Sequence, residues 1–155
     1  RGTNIVNLIE MQPEEKITSV IKVSKEHFEE ENFLVMVTRK GIIKRTELSL
    51  YAKVRKGGLI AINLDEDDEL AWVRQTSGND ELIVATKKGM AIRFNENDAR
   101  PLSRSARGVK SITLSSEDDV IVGFVRVMAD ATLLTVTENG SGRRSSGPTT
   151  TILTL

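Results

Sequence analysis

The chain has 155 residues, 22 Lys or Arg balanced by 22 Asp or Glu, and no Cys, with a hydrophobic share of 39%. That length suits one domain with a real core, and the lack of Cys excludes a disulfide framework and a thiolate metal site, as expected in a reducing compartment. No apolar run approaches the roughly 18 residues that span a bilayer and no signal-peptide pattern opens the chain, so a soluble, cytoplasmic protein is expected.

Taken in order, Arg1 to Leu8 alternate weakly, a Pro13–Lys16 turn follows, and Ile17 to Val23 carry the β-branched content of a strand. Residues 24–32 are the one plausible helix. Ser24 could cap it, but Glu29-Glu30-Glu31-Asn32 favours a turn of polar surface over a packed helix. Phe33 to Thr38 and Ile42 to Thr46 read as a hairpin whose short connection needs one left-handed residue, which Gly41 supplies. A basic loop, Lys53 to Gly58, leads into Leu59 to Leu64, an apolar run of the kind buried on both faces, and Asp65 to Glu69 closes it. Leu70 to Val73 is the next strand, followed by a turn at residues 76–80.

The order then starts again. Leu82 to Thr86 and Met90 to Phe94 form a second hairpin around Gly89. Arg100 to Lys110 is a second basic loop, Val109 to Leu114 a second apolar run, residues 117–119 a second acidic turn, and Val120 to Val127 a strand. Three landmarks fix the period. Thr-x-x-Gly ends at Gly41, Gly89 and Gly140, 48 and 51 residues apart. A basic residue plus Gly recurs at Arg1-Gly2, Lys56-Gly57 and Arg107-Gly108, and the strand after the acidic turn begins at Ile17, Leu70 and Val120. A repeat of about 50 residues holding roughly four short strands, with no room for crossover helices, is the signature of an all-β, propeller-like blade array. The chain starts with Arg and enters its first repeat in the middle, so a piece of a longer protein is expected.

The zero net charge conceals a sorting by repeat phase. Residues 39–58 sum to +6 and 87–110 to +5, whereas 59–86 sum to −6 and 111–137 to −3. Equal phase in a repeat array means equal position, so the basic segments should line one surface. The expected stripe comprises Arg39, Lys40, Lys44, Arg45, Lys53, Arg55 and Lys56, then Lys87, Lys88, Arg93, Arg100, Arg104, Arg107 and Lys110, and finally Arg143 and Arg144. Such a stripe suits a polyanion bound through its phosphates. Phe33, Trp72 and Phe94 fall on expected strands and belong to the core, so no stacking platform for single strands is available and duplex DNA is preferred. Catalytic chemistry is almost unrepresented. His27 stands alone in a polar stretch and reads as solvated, the acidic turns lack calcium-loop spacing, and neither a P-loop nor G-x-S-x-G occurs. No metal, cofactor or small-molecule substrate is expected.

Arg1 to Ile9, Glu15-Lys16-Ile17-Thr18, the Thr-x-x-Gly hairpins, and Thr76-Ser77-Gly78 with Asp80-Glu81 together resemble the C-terminal domain of the DNA gyrase A protein, from Arg1 to about Arg144. The resemblance implies a β-pinwheel whose blades exchange strands, and a basic rim that wraps duplex DNA with positive handedness. It also implies an accessory, non-catalytic role in an ATP-hydrolysing type IIA topoisomerase, in the nucleoid, with the rest of the gyrase A protein and with the gyrase B protein. Two departures stand out. The family heptapeptide Gln-Arg-Arg-Gly-Gly-x-Gly, which the resemblance ties to full wrapping, is absent, with only Val54-Arg55-Lys56-Gly57-Gly58 and Ser105-Ala106-Arg107-Gly108 at its phase. After Arg144 the pattern stops, and residues 145–155 read as an appended segment or a change of reading frame. A partial array of about three blades over 1–144 has open strand edges that invite pairing. The related domain of topoisomerase IV, which selects DNA crossings, and a propeller-like protein-interaction module remain as alternatives.

Overall fold

The computed structural model describes residues 2–4, 7–54, 57–146 and 151–154. Two strands, β1 (Phe33–Thr38) and β2 (Ile42–Glu47), form the first hairpin, and β4 (Glu81–Thr86) and β5 (Ala91–Asn95) the second. β3 (Leu70–Thr76) lies antiparallel on the free side of β1, as β7 (Ile121–Arg126) does on β4. Both pairings shift register at the same phase, between Val37 and Thr38 and between Ala85 and Thr86. The repeat read from the sequence is thus repeated in the backbone, irregularities included.

Each of the first two hairpins takes a strand from further along the chain. A short strand, β6 (Val109–Lys110), passes over the second hairpin and pairs with β2 of the first, Val109 opposite Ile43 and Lys110 opposite Ile42. The resulting sheet has the order β3-β1-β2-β6, and the second has the order β5-β4-β7. A third contains β8 (Thr132–Val136), β9 (Gly142–Ser146) and β10 (Thr151–Thr154) in the order β10-β8-β9. Here β10 runs parallel to β8, whereas β3 and β7 run antiparallel to β1 and β4.

Strand β1 is buried along its whole length because its two faces serve two clusters. Val35 and Val37 join Ile43, Leu82, Val84, Ile121 and Phe124 in a core between the first two sheets, with Trp72 and Phe94 packed against it. Leu34 and Met36 face the other way, with Leu48, onto Ile21, Val23, Phe28 and Tyr51. Full burial of a side chain such as Leu82 or Phe124 contributes about 1.5–3 kcal/mol, so these clusters are what hold the sheets in register.

Four expectations are corrected. Residues 17–23 form no strand. Ile21 and Val23 turn inward while Val20 is 74% exposed, and the segment joins no sheet. Strands at this phase, β3 and β7, are held by ladders to β1 and β4, and among the described residues no such ladder forms beside residues 17–23. Leu59 to Leu64 is likewise irregular, with Ile60 at 60% exposure, and lacks the ladder that its counterpart β6 forms with β2. The helix α1 (Lys25–Glu29) is more than polar surface, since Phe28 packs on the Leu34–Met36 cluster. His27 is half-buried rather than solvated and accepts the Ser24 N–H on Nδ1 at 3.4 Å.

Candidate nucleic-acid interface

The hairpin turns share one construction. Gly41, Gly89 and Gly140 all adopt the left-handed region, with φ of 87°, 84° and 80°, as the turn requires. In each, the Gly N–H donates to the Thr carbonyl, and the Thr hydroxyl accepts the N–H of the residue after Gly, at 3.1 Å for Thr38, 3.3 Å for Thr86 and 3.1 Å for Thr137. Acidic-turn carboxylates then fasten two of these turns. Asp68 accepts the Lys40 N–H at 3.0 Å, and Asp119 accepts the Lys88 N–H at 3.1 Å.

That fastening brings the basic and acidic phases into contact, so the expected separation into stripes is corrected for part of the set. Arg39 pairs with Glu69 at 3.2 Å, Lys40 with Asp67, Lys88 with Asp118 at 2.7 Å, Arg93 with Glu81, and Arg107 with Asp65 at 2.8 Å. The Asp67 carboxylate holds the Lys40 ammonium above its usual range, and hydrogen bonds from Lys88 and then Ser116 hold Asp118 down to about 2. Arg39 also lies 5.0 Å from the Trp72 ring centroid and donates to the Ile121 carbonyl, which makes it a tie between sheets.

Two expected surface cations are inside the protein. Lys44 is 0% exposed, and its Nζ donates to the Ala61 carbonyl at 2.6 Å and to the Arg104 carbonyl. Burial, with repulsion from Arg104 added, pushes the Lys44 ammonium down to about 8. Arg45 is 4% exposed, pairs with the fully buried Glu96 at 3.0 Å, and lies 3.9 Å from the Phe33 ring centroid. Neither side chain can reach a phosphate. Their expected place in the basic stripe is lost because the loop after β5 covers β2, Leu102 N–H donating to the Arg45 carbonyl at 2.8 Å.

Lys53, Lys87, Arg100, Arg104, Lys110, Arg143 and Arg144 stay at or near the surface with no carboxylate partner among the described residues. Arg55 and Lys56 lie outside the described residues. The fold sets the two basic loops side by side. Asn63 N–H donates to the Ala106 carbonyl at 3.3 Å, Asn63 Nδ2 to the Ser105 carbonyl at 2.5 Å, and Arg104 Nη1 to the Ile60 carbonyl at 2.9 Å. One cleft is consequently lined by Lys53 from the first loop and Arg104 from the second, with Leu50, Val54 and Leu59 between them. Such an array offers point charges and backbone carbonyls on an open surface. Among the described residues no cluster of His, Asp and Glu could hold a metal ion. Among them, too, no helix is long and apolar enough to cross a membrane.

Sequence reasoning missed the Arg45–Glu96 pair and the burial of Lys44. A signal was present for the first alone: Glu96 stands at the phase of Leu48, which is also buried. Lys44 stands at the phase of Ile92, which is 37% exposed, so the burial of Lys44 comes from the segments that cover β2 and not from its place in the repeat.

The sequence matches the family described as DNA gyrase C-terminal domain, beta-propeller, over residues 32–77 and 80–128. The chain belongs to this family. It is 58% identical over 110 residues to the DNA gyrase A protein of Clostridium acetobutylicum, covering 71% of this chain and 13% of that protein. The solved DNA gyrase A C-terminal domain superposes with a TM-score of 0.77 at 33% identity, covering 92% of this chain and 46% of the other. A crystal structure of the C-terminal domain of DNA topoisomerase IV gives a TM-score of 0.83 at 30% identity, covering 98% and 48%. The chain therefore spans about half of each solved domain and a small share of the full gyrase A protein. Its fold is all-β and propeller-like, as the repeat spacing predicts.

Proposed function

We propose that the gyrase-family chain is a non-catalytic, duplex-DNA-binding part of a DNA gyrase A protein. It works in the cytoplasm beside the rest of that protein and the gyrase B protein, with residues 1–144 forming a partial array of blades. The observation that carries this reading is the juxtaposition of two successive basic loops, with Lys53 and Arg104 on one cleft and neither neutralised by a carboxylate among the described residues. Phosphates repeat at fixed intervals, so cations spaced along neighbouring repeats contact successive phosphates without reading bases. Binding should be insensitive to sequence. If about six phosphates are neutralised, log affinity falls against log salt with a slope of about −5. A flat salt response in a fluorescence-anisotropy titration with linear duplex would overturn the reading.

Binding and wrapping separate. Curving a site of about 20–30 base pairs costs on the order of 1–6 kcal/mol, which phosphate contacts offset only when they continue around the arc. Here β10 runs parallel to β8, unlike β3 and β7 beside β1 and β4, and the heptapeptide is absent from the sequence. The chain should bind a plasmid without shifting its topoisomer distribution when a relaxing enzyme acts on the complex. A shift toward positive linking difference would show that these blades suffice for wrapping. The likeness to the topoisomerase IV domain supports a second reading, selection of DNA crossings, under which the chain prefers crossed duplexes to linear ones.

A further inference from the structure

Lys44 is a cation of the expected stripe whose ammonium is engaged by the second basic loop and by the run that follows the first. Its Nζ donates to Ala61 O, just after the first loop, and to Arg104 O, in the second, 17 and 60 residues away along the chain. Tyr51 Oη donates to the same Ala61 carbonyl at 3.1 Å, and the Arg104 guanidinium returns to the first loop's exit at Ile60 O. At the same phase the second hairpin carries Ile92, so the hairpin itself does not need a lysine. Burying an ammonium is unfavourable unless its donors are satisfied, and here loop carbonyls of two different repeats satisfy it. We infer that Lys44 is a clamp that fixes the spacing of the two basic loops, and thereby acts as a positioning residue for the phosphate contacts of Lys53 and Arg104 without touching DNA itself.

The effect on DNA rests on the binding function proposed above, whereas the clamp does not, and the test separates them. The variant Lys44→Ile places in the first hairpin the residue that the second already tolerates, and Lys22→Ile removes one charge outside the basic loops as a control. Affinity for a linear duplex is measured across a salt series with the 155-residue chain, together with amide exchange at Asn63, whose N–H bonds Ala106 O. Loss of the clamp should accelerate Asn63 exchange at least about tenfold, leave exchange at Val84 unchanged, weaken binding at least about fivefold, and flatten the salt slope by more than the roughly 0.9 expected for one lost phosphate contact. Affinity and slope equal to those of the wild type would overturn the positioning role. So would a slope change of one contact or less, since a local loss of charge explains that much. If the wild-type chain binds no duplex, the function proposed above fails, and Asn63 decides the clamp alone: accelerated exchange supports it and unchanged exchange overturns it.

Discussion

Arg45 and Glu96 form an ion pair at 3.0 Å that is buried on both sides and joins the first hairpin to the end of the second. Glu96 is well supplied with donors: Oε1 accepts the Gly78 and Asp80 N–H groups at 2.8 Å each, and Oε2 accepts the Thr76 hydroxyl at 2.7 Å. Arg45 donates from Nη1 to Asn97 Oδ1 at 3.0 Å and from Nη2 to the Gly78 carbonyl at 3.3 Å. The pair thus fixes the turn after β3 against both hairpins.

A buried charge without its partner is more costly than no charge at all. Glu96→Leu alone should destabilise the chain by about 3–5 kcal/mol, because Arg45 stays buried and uncompensated. The double variant Arg45→Met with Glu96→Leu should lose less than the two single losses combined. Urea denaturation of the four proteins gives the cycle, and additivity within about 0.5 kcal/mol would show that the two residues act independently.

Cations already held by carboxylates have less to give a phosphate. Lys53→Gln and Lys110→Gln should each flatten the salt dependence of duplex binding by roughly 0.9 in slope. Lys88→Gln and Arg93→Gln, which remove partners of Asp118 and Glu81, should change it less. Equal effects in both pairs would mean that the ion pairs open on binding.

Glycine is required at two positions for different reasons. At Gly89 a Cβ meets nothing within 4 Å, so Gly89→Ala costs only the left-handed backbone, about 1–2 kcal/mol. At Gly108, φ is +107° and a Cβ would lie 2.6 Å from the Ile43 carbonyl, so alanine must also push β6 away from β2. The Gly108 variant should unfold at the lower urea concentration, and Ser103→Ala, in the loop, should stay within about 0.5 kcal/mol of the wild type. The reverse order would mean that β6 does not hold the sheet.

Burial of Lys44 has a pH consequence with a definite sign. Its ammonium titrates near 8 in the fold against 10.5 for an ordinary lysine, so above about pH 8 the unfolded chain binds more protons and stability rises with pH. Burial raises the Tyr51 phenol above 10, and its ionisation in the unfolded chain works in the same direction as any acid held neutral by the fold, costing stability only at higher pH. Between about pH 8 and 9.5 the wild type should therefore gain on the order of 1 kcal/mol, and Lys44→Ile should show no such gain. A wild-type stability that falls across that window would mean that Lys44 is solvated.

The repeat and its hairpins are legible because their signals are local: a Thr, a Gly three residues further on, and β-branched residues on either side. Ion pairing is not, because Lys40 and Asp67 are distant in sequence and meet only when the acidic turn is carried to the hairpin by β3. Strand status at Ile17 to Val23 and Leu59 to Leu64 is obscured for a related reason. A strand needs a partner, and composition describes only one side of a ladder. For the interface, the sequence indicates which loops are basic, and the fold decides that Lys44 and Arg45 lie inside while Lys53 and Arg104 share a cleft.

Because β6 completes the sheet begun by β1 and β2, that sheet cannot close while Lys110 is still inside the ribosome. At about 5–20 residues per second, synthesis leaves the outer edge of β2 bare for several seconds after Glu47 emerges. The hairpin must wait for a strand that is made only after the next hairpin. An array assembled this way matures one repeat behind translation, and the nascent chain spends that interval with Lys44 and Arg45 in water, before the residues that later enclose them exist.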